Sequence, residues 1–111
     1  MKKNEEVEVE YYENGNKSYE CTDFKDGGSV ETEWFEDGTI GREVRCSKGV
    51  GLHEIIYYVN GKKHSEKHFQ EDGSGVETYY FEDGTKRCEG HYKEGKIVRV
   101  LCWGIEKDGK R

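Results

Sequence analysis

Four pairs of aromatic residues recur along the chain at an unbroken spacing of 23 residues: Tyr11-Tyr12, Trp34-Phe35, Tyr57-Tyr58 and Tyr80-Phe81. Each opens the same phrase: Tyr-Tyr-Glu-Asn-Gly, Trp-Phe-Glu-Asp-Gly, Tyr-Tyr-Val-Asn-Gly, Tyr-Phe-Glu-Asp-Gly. A fixed period of this length implies one small supersecondary unit stacked on its neighbours rather than a single irregular core. The predicted units are 11–33, 34–56, 57–79 and 80–102, with a partial fifth from Trp103, all within a single domain spanning 1–111.

Each unit reads as strand, Asn/Asp-Gly turn, strand, Gly-containing turn. The first turns are Asn14-Gly15, Asp37-Gly38, Asn60-Gly61 and Asp83-Gly84, a strong hairpin signal in which glycine supplies the positive φ. Such short connections force antiparallel neighbours, so the predicted fold is all-β: an elongated, twisted antiparallel meander of about nine strands. A second symmetry lies above the first. Asp26-Gly27-Gly28-Ser29-Val30-Glu31-Thr32 matches Asp72-Gly73-Ser74-Gly75-Val76-Glu77-Thr78 at twice the basic period.

Composition agrees only once pattern is considered. Of 111 residues, 32% are hydrophobic and 38% charged, proportions that would suit a disordered chain. The apolar residues are instead periodic and largely Tyr, Trp, Phe and Val, which favour strands. No apolar run approaches membrane-span or signal-peptide length, so a soluble cytoplasmic protein is expected. The net charge of −6 argues against direct nucleic-acid binding and fits a basic protein partner. Cys21, Cys46, Cys88 and Cys102 form no Cys-x-x-Cys pair. No metal site is read from them, and free thiols in a reducing compartment are expected.

Strand alternation sorts side chains onto two faces. If the turns preserve parity, one face is apolar: Val7, Val9, Tyr11, Val30, Thr32, Trp34, His53, Ile55, Tyr57, Val76, Thr78, Tyr80, Leu101 and Trp103, joined by Tyr19, Cys21, Val44, Cys46, Phe69, Cys88 and Tyr92. The other then carries eight glutamates, Glu8, Glu31, Glu54 and Glu77 with Glu20, Glu43, Glu66 and Glu89, bordered by Tyr12, Phe35, Tyr58 and Phe81. A lone sheet must cover an apolar face by curling, dimerising or binding a partner.

The repeated aromatic-x-Asn/Asp-Gly phrase, with second turns such as Phe24-Lys25-Asp26-Gly27 and Tyr92-Lys93-Glu94-Gly95, resembles the MORN repeat, and specifically the bacterial MORN-variant repeats of antitoxin-like proteins. The resemblance implies an elongated sheet of hairpins and a binding role: neutralising a toxin, scaffolding, or contacting phospholipid as eukaryotic relatives do. The chain departs from the eukaryotic pattern at Cys46-Ser47-Lys48-Gly49 and lacks the basic clusters that anionic membranes recruit.

The candidate partner-binding residues are Glu31, Glu54, Glu77, Glu43, Glu66 and Glu89 with the outer aromatics Tyr12, Phe35, Tyr58, Phe81 and Tyr79. A row of carboxylates roughly 5 to 7 Å apart would suit a basic cleft built for nucleic acid; the same row also reads as an ordinary solvated face. The ladder Tyr11, Trp34, Tyr57, Tyr80, Trp103 reads either as cross-strand packing or as a binding stripe. His64 and His68 are placed on one face about 13 Å apart, and His68 and His91 about 10 Å apart, so neither pair chelates one ion. Nucleophile motifs and phosphate loops are absent. No catalytic residue, metal or cofactor is assigned. The expected function is non-enzymatic sequestration or inhibition of a basic toxin or nuclease, as an antitoxin or as a phage inhibitor of a defence such as a CRISPR effector. The alternative is a self-assembling structural protein that dimerises through its apolar face, with no membrane partner in either case.

Overall fold

The computed structural model describes residues 5–103, so the fifth copy beyond Trp103 lies outside the described residues. Within them the chain forms nine strands: β1 (Glu5–Tyr11), β2 (Lys17–Phe24), β3 (Ser29–Trp34), β4 (Ile40–Ser47), β5 (Gly51–Tyr57), β6 (Lys63–Gln70), β7 (Gly75–Tyr80), β8 (Lys86–Lys93) and β9 (Lys96–Cys102). They pair in strict chain order as one open antiparallel sheet, the meander that the turn spacing predicts. The sheet measures 58 × 39 × 14 Å, and its short dimension is that of a single layer. Among the described residues Val44 is the one buried hydrophobic side chain. The exposed surface of 7807 Å² compares with roughly 6,300 Å² for a compact chain of this size. Among the described residues no second layer covers either face.

The odd-numbered strands other than β9 end on the first aromatic of each pair, and the turn that follows has one construction throughout. In the first, the Tyr12 N–H donates to the Asn16 carbonyl at 2.8 Å and the Gly15 N–H to the Tyr12 carbonyl at 3.0 Å. Gly15 takes φ 94°, a conformation costly for residues with a Cβ. The Asn14 side chain accepts from the Asn16 N–H at 2.9 Å, and its amide donates to the Glu36 carbonyl of the next turn at 2.9 Å. The β8–β9 turn differs, with Glu94 and Gly95 both at positive φ, the two-residue hairpin geometry.

After each of the four aromatic-pair turns the pairing slips by one. Tyr11 pairs with Lys17, but Glu10 pairs with Tyr19, leaving Ser18 as an extra residue. The slip recurs between Glu33 and Trp34, Ile56 and Tyr57, and Tyr79 and Tyr80, so the extra residues are Ser18, Gly41, His64 and Arg87, again 23 apart. A bulge that adds one residue exchanges the faces of everything beyond it. The second aromatic of the pair packs on this position in at least two repeats. A Cβ on Gly41 would lie 3.3 Å from the Phe35 ring, and Tyr58 meets His64 edge-on at 4.9 Å.

The bulges overturn the expected composition of the faces. Val9 pairs with Glu20, Glu20 with Thr32, and Thr32 with Glu43. The aromatic face therefore carries Glu20, Glu43, Glu66 and Glu89 beside Tyr11, Trp34, Tyr57 and Tyr80. Glu8 pairs with Cys21, Cys21 with Glu31, Glu31 with Val44 and Val44 with Glu54. The opposite face thus holds Glu8, Glu31, Glu54 and Glu77 together with Tyr19, Cys21, Val44, Cys46, Phe69, Cys88 and Tyr92. The expected single row of eight glutamates is two rows of four on opposite sides of the sheet.

Gly51 gives a direct test of the inter-strand packing. Its φ is 131°, and a Cβ there would fall 1.9 Å from the Phe69 carbonyl oxygen. Gly49 also has positive φ but has nothing within 4 Å of its Cβ position. Gly51→Ala is expected to cost at least about 3 kcal/mol and Gly49→Ala about 1 kcal/mol in urea denaturation.

Candidate interaction surface

The glutamates proposed to meet a partner are first engaged with one another's strands. On the face opposite the aromatic ladder, a chain of polar contacts crosses seven strands with one residue from each. The Tyr19 hydroxyl donates to Glu31 at 2.8 Å, and Arg42 lies 3.6 Å from Glu31. Arg42 Nε donates to Glu54 at 2.7 Å. Lys67 lies 3.6 Å from Glu54 and 3.7 Å from Glu77, and the Tyr92 hydroxyl donates to Glu77 at 3.0 Å. Tyr79 also donates to Glu77, and Glu33 takes a second bond from Arg42 at 3.0 Å. The side chains of Glu54 and Glu77 are only 13% and 14% exposed, so these carboxylates are interior to the network.

The aromatic face has its own smaller clusters. Glu66 receives His53 and Lys63, each at 2.9 Å. Glu89 receives His91 at 3.2 Å and Lys86 at 3.6 Å, while Glu43 accepts from the Tyr57 hydroxyl at 3.2 Å. Lys17 pairs with Glu20 and sits 5.6 Å over the Trp34 ring, as Lys86 sits 5.5 Å over Trp103. Packing and cation–π contact thus account for much of the aromatic ladder, although Tyr11 and Trp103 at its ends remain 57% and 46% exposed.

The outer aromatics are less free than their alternation implies. Tyr12, Phe35, Tyr58 and Phe81 are all half-buried. The Tyr12 hydroxyl donates to the Trp34 carbonyl, and that of Tyr58 donates to the Tyr80 carbonyl at 2.8 Å. His64 packs against Tyr58 and Tyr79, whereas His68 stacks on His53 across the β5–β6 pair with centroids 4.8 Å apart. The expectation that His64 and His68 share a face is therefore corrected by the bulge. The His53–His68 pair, invisible without the register, is the contact that sequence spacing missed. Among the described residues no three His, Cys, Asp or Glu side chains group as a metal would require.

Charge is compensated unevenly along the sheet. β1 places Glu6, Glu8 and Glu10 on the same face as the polar chain, beside Asp23 and the Tyr19 ring of β2 and in line with Glu31 and Glu33 of β3. Among the described residues no cation pairs with Glu6, Glu8 or Glu10, and the nearest basic side chain along the face is Arg42 of β4. At one corner Glu10, Glu33, Tyr12, Tyr19, Ser18 and Trp34 line a shallow recess. Two carboxylates beside Tyr12 and Tyr19 form a lining suited to a guanidinium or ammonium group.

The environments set the titration of the buried carboxylates. Burial by itself would raise Glu77, but hydrogen bonds from Tyr79 and Tyr92 and the charge of Lys67 hold it below the ordinary glutamate value of 4.5. His53 and then Lys63 lower Glu66, and His91 lowers Glu89. Conversely, its bond to Glu77, reinforced by burial, pushes Tyr79 up to about 12.

No helix among the described residues is long and apolar enough to cross a membrane. No protein-family model matches the chain, and no curated protein matches it.

Two expectations follow. Arg42→Met removes the cation that Glu31, Glu33 and Glu54 share and should lower stability by about 1–2 kcal/mol in urea denaturation, between the surface and buried extremes for ion pairs; Lys17→Met, at an exposed pair, should change it little. The depressed carboxylates stabilise the fold fully above pH 4.5, and that contribution is lost as pH falls from there through their lower folded values. Thermal scans should therefore show a melting temperature that drops below pH 4.5 and drops less in Glu77→Gln.

Proposed function

We propose that the chain is a MORN-like, non-enzymatic binding protein that sequesters or inhibits a basic partner protein, as an antitoxin or a nuclease inhibitor does. The observation that carries this reading is the uncompensated acidic corner on β1–β3. Among the described residues Glu6, Glu8 and Glu10 pair with no cation, and they lie beside the recess lined by Glu10, Glu33, Tyr12, Tyr19 and Trp34. An open one-layer sheet offers area rather than an enclosed pocket, which favours contact with a macromolecule over turnover of a small substrate.

The partner's Lys and Arg side chains meet this corner. Glu31, Glu54, Glu77, Glu43, Glu66 and Glu89, being engaged within the sheet, contribute at the margin of the contact or act by holding the sheet in shape. Exposed negative charge of this kind accelerates encounter and makes binding sensitive to salt. A second reading, self-association through the aromatic face, is favoured by Val7, Val9 and Tyr11 at its β1 edge, exposed by 55%, 38% and 57%.

The test starts with affinity capture from nuclease-treated bacterial lysate and mass spectrometry of what is retained. A stoichiometric basic protein is expected. Changing Glu6, Glu8 and Glu10 together to Gln should weaken its binding by about tenfold or more, and higher salt should reproduce the loss. Undiminished affinity in that triple variant would overturn the acidic-corner reading. Recovery of the bait alone as a stable dimer would favour self-association.

A further inference from the structure

The register brings two cysteines together that their sequence positions do not relate. Cys88 of β8 and Cys102 of β9 are direct cross-strand partners. The adjacent Trp103 N–H donates to the Arg87 carbonyl at 2.8 Å, which makes 87/103 a hydrogen-bonded pair and Cys88/Cys102 the neighbouring non-hydrogen-bonded one. At such positions the Cα atoms lie about 4.5 Å apart and the side chains are at their closest. That separation falls within the range a disulfide spans, about 4.4 to 6.8 Å. We propose that Cys88 and Cys102 are a redox pair that closes to an intrachain disulfide and clasps the last strand onto the sheet.

The remaining observations fit a reversible clasp. Both thiols are free in this structure; Cys102 is exposed and Cys88 half-buried. Contact with the Cys102 thiol, and then burial, push the Cys88 thiol up. An incoming oxidant therefore meets Cys102 first. With a small-molecule disulfide such as oxidised glutathione, the Cys102 thiolate attacks one sulfur, forming a mixed disulfide and releasing one glutathione thiolate. Deprotonated Cys88 then attacks Cys102 Sγ and expels the second. Two protein thiols are oxidised, the oxidant's one disulfide is reduced to two thiols, and both protein protons pass to solvent or to the released thiolates.

Cys21 and Cys46 supply an internal contrast. They share a face, but β3 lies between their strands and Cys46 sits two residues along from the position in line with Cys21, placing them about 12 Å apart. That is beyond disulfide reach. The clasp also sits where it matters mechanically. β9 has no strand on its outer side among the described residues, and its Ile97, Val98 and Val100 are 53%, 60% and 58% exposed. A terminal strand held on one side is the first to open.

The full native chain is incubated with oxidised glutathione, quenched with an alkylating agent, denatured and digested with trypsin without reduction. The expected product links the peptide Cys88–Lys93 to the peptide Val100–Lys107, with Cys21 and Cys46 outside the bridge. Amide exchange in β9 should slow by about tenfold in the oxidised form and revert on reduction. Cys102→Ser should abolish both the linked peptide and the slowing. Glutathione remaining on Cys102, a bridge between chains, or a link to Cys21 or Cys46 would each overturn the proposal, as would unchanged β9 exchange in a fully bridged sample.

Discussion

Glu54 lies between Arg42 and Lys67, within a polar chain that runs from Tyr19 to Tyr92 across the width of the sheet. A one-layer sheet has no facing layer to bury apolar side chains against, so the usual source of stability is thin. Each member of the chain comes from a different strand, which makes the network a cross-tie between neighbours rather than a local decoration. Isolated surface ion pairs contribute little because both side chains must be ordered. Here flanking strands already confine Glu54 and Glu77, and each cation serves more than one carboxylate. The network is therefore held together in a way single pairs are not.

The same arrangement divides the sheet by task. From β3 to β8 the carboxylates on this face are occupied by structure. On β1 no such contact occurs among the described residues, and the acid at that end discourages pairing of two β1 edges by like-charge repulsion. β9 lacks that protection, since its Lys96 and Arg99 are interspersed with Ile97, Val98, Val100 and Leu101. The two edges of the molecule are consequently unlike.

Strand number, order and direction were legible because they rest on local chemistry: an aromatic pair, an Asn or Asp, and a glycine at fixed spacing. The faces were not, because parity depends on a single unpaired residue after each aromatic-pair turn. Ser18, Gly41, His64 and Arg87 have no shared side-chain chemistry, so nothing in their identities announces a bulge. Their common period and the half-buried ring of Phe35 or Tyr58 over the site are the only signals, and the second requires coordinates. Everything beyond each bulge is displaced to the other face. Glu20, Glu43, Glu66 and Glu89 changed face, the row of eight acids divided, and the pairings of Cys88 with Cys102 and His53 with His68 came into view. The candidate residues are charged and aromatic in the sequence, but whether they are available depends on contacts such as those that engage Glu54 and Glu77, which only the register reveals.

Among the described residues every strand in the sheet pairs only with the strands next to it in sequence. Sheets closed into barrels must bring distant segments together before any of them gains stability, which slows their assembly. In this chain each hairpin can form from a short loop, and the next strand adds to an edge already present. Growth by such nearest-neighbour addition resembles that of repeat solenoids. It makes the middle strands, supported on both sides, the natural place for order to begin, with the two unlike edges the last to join.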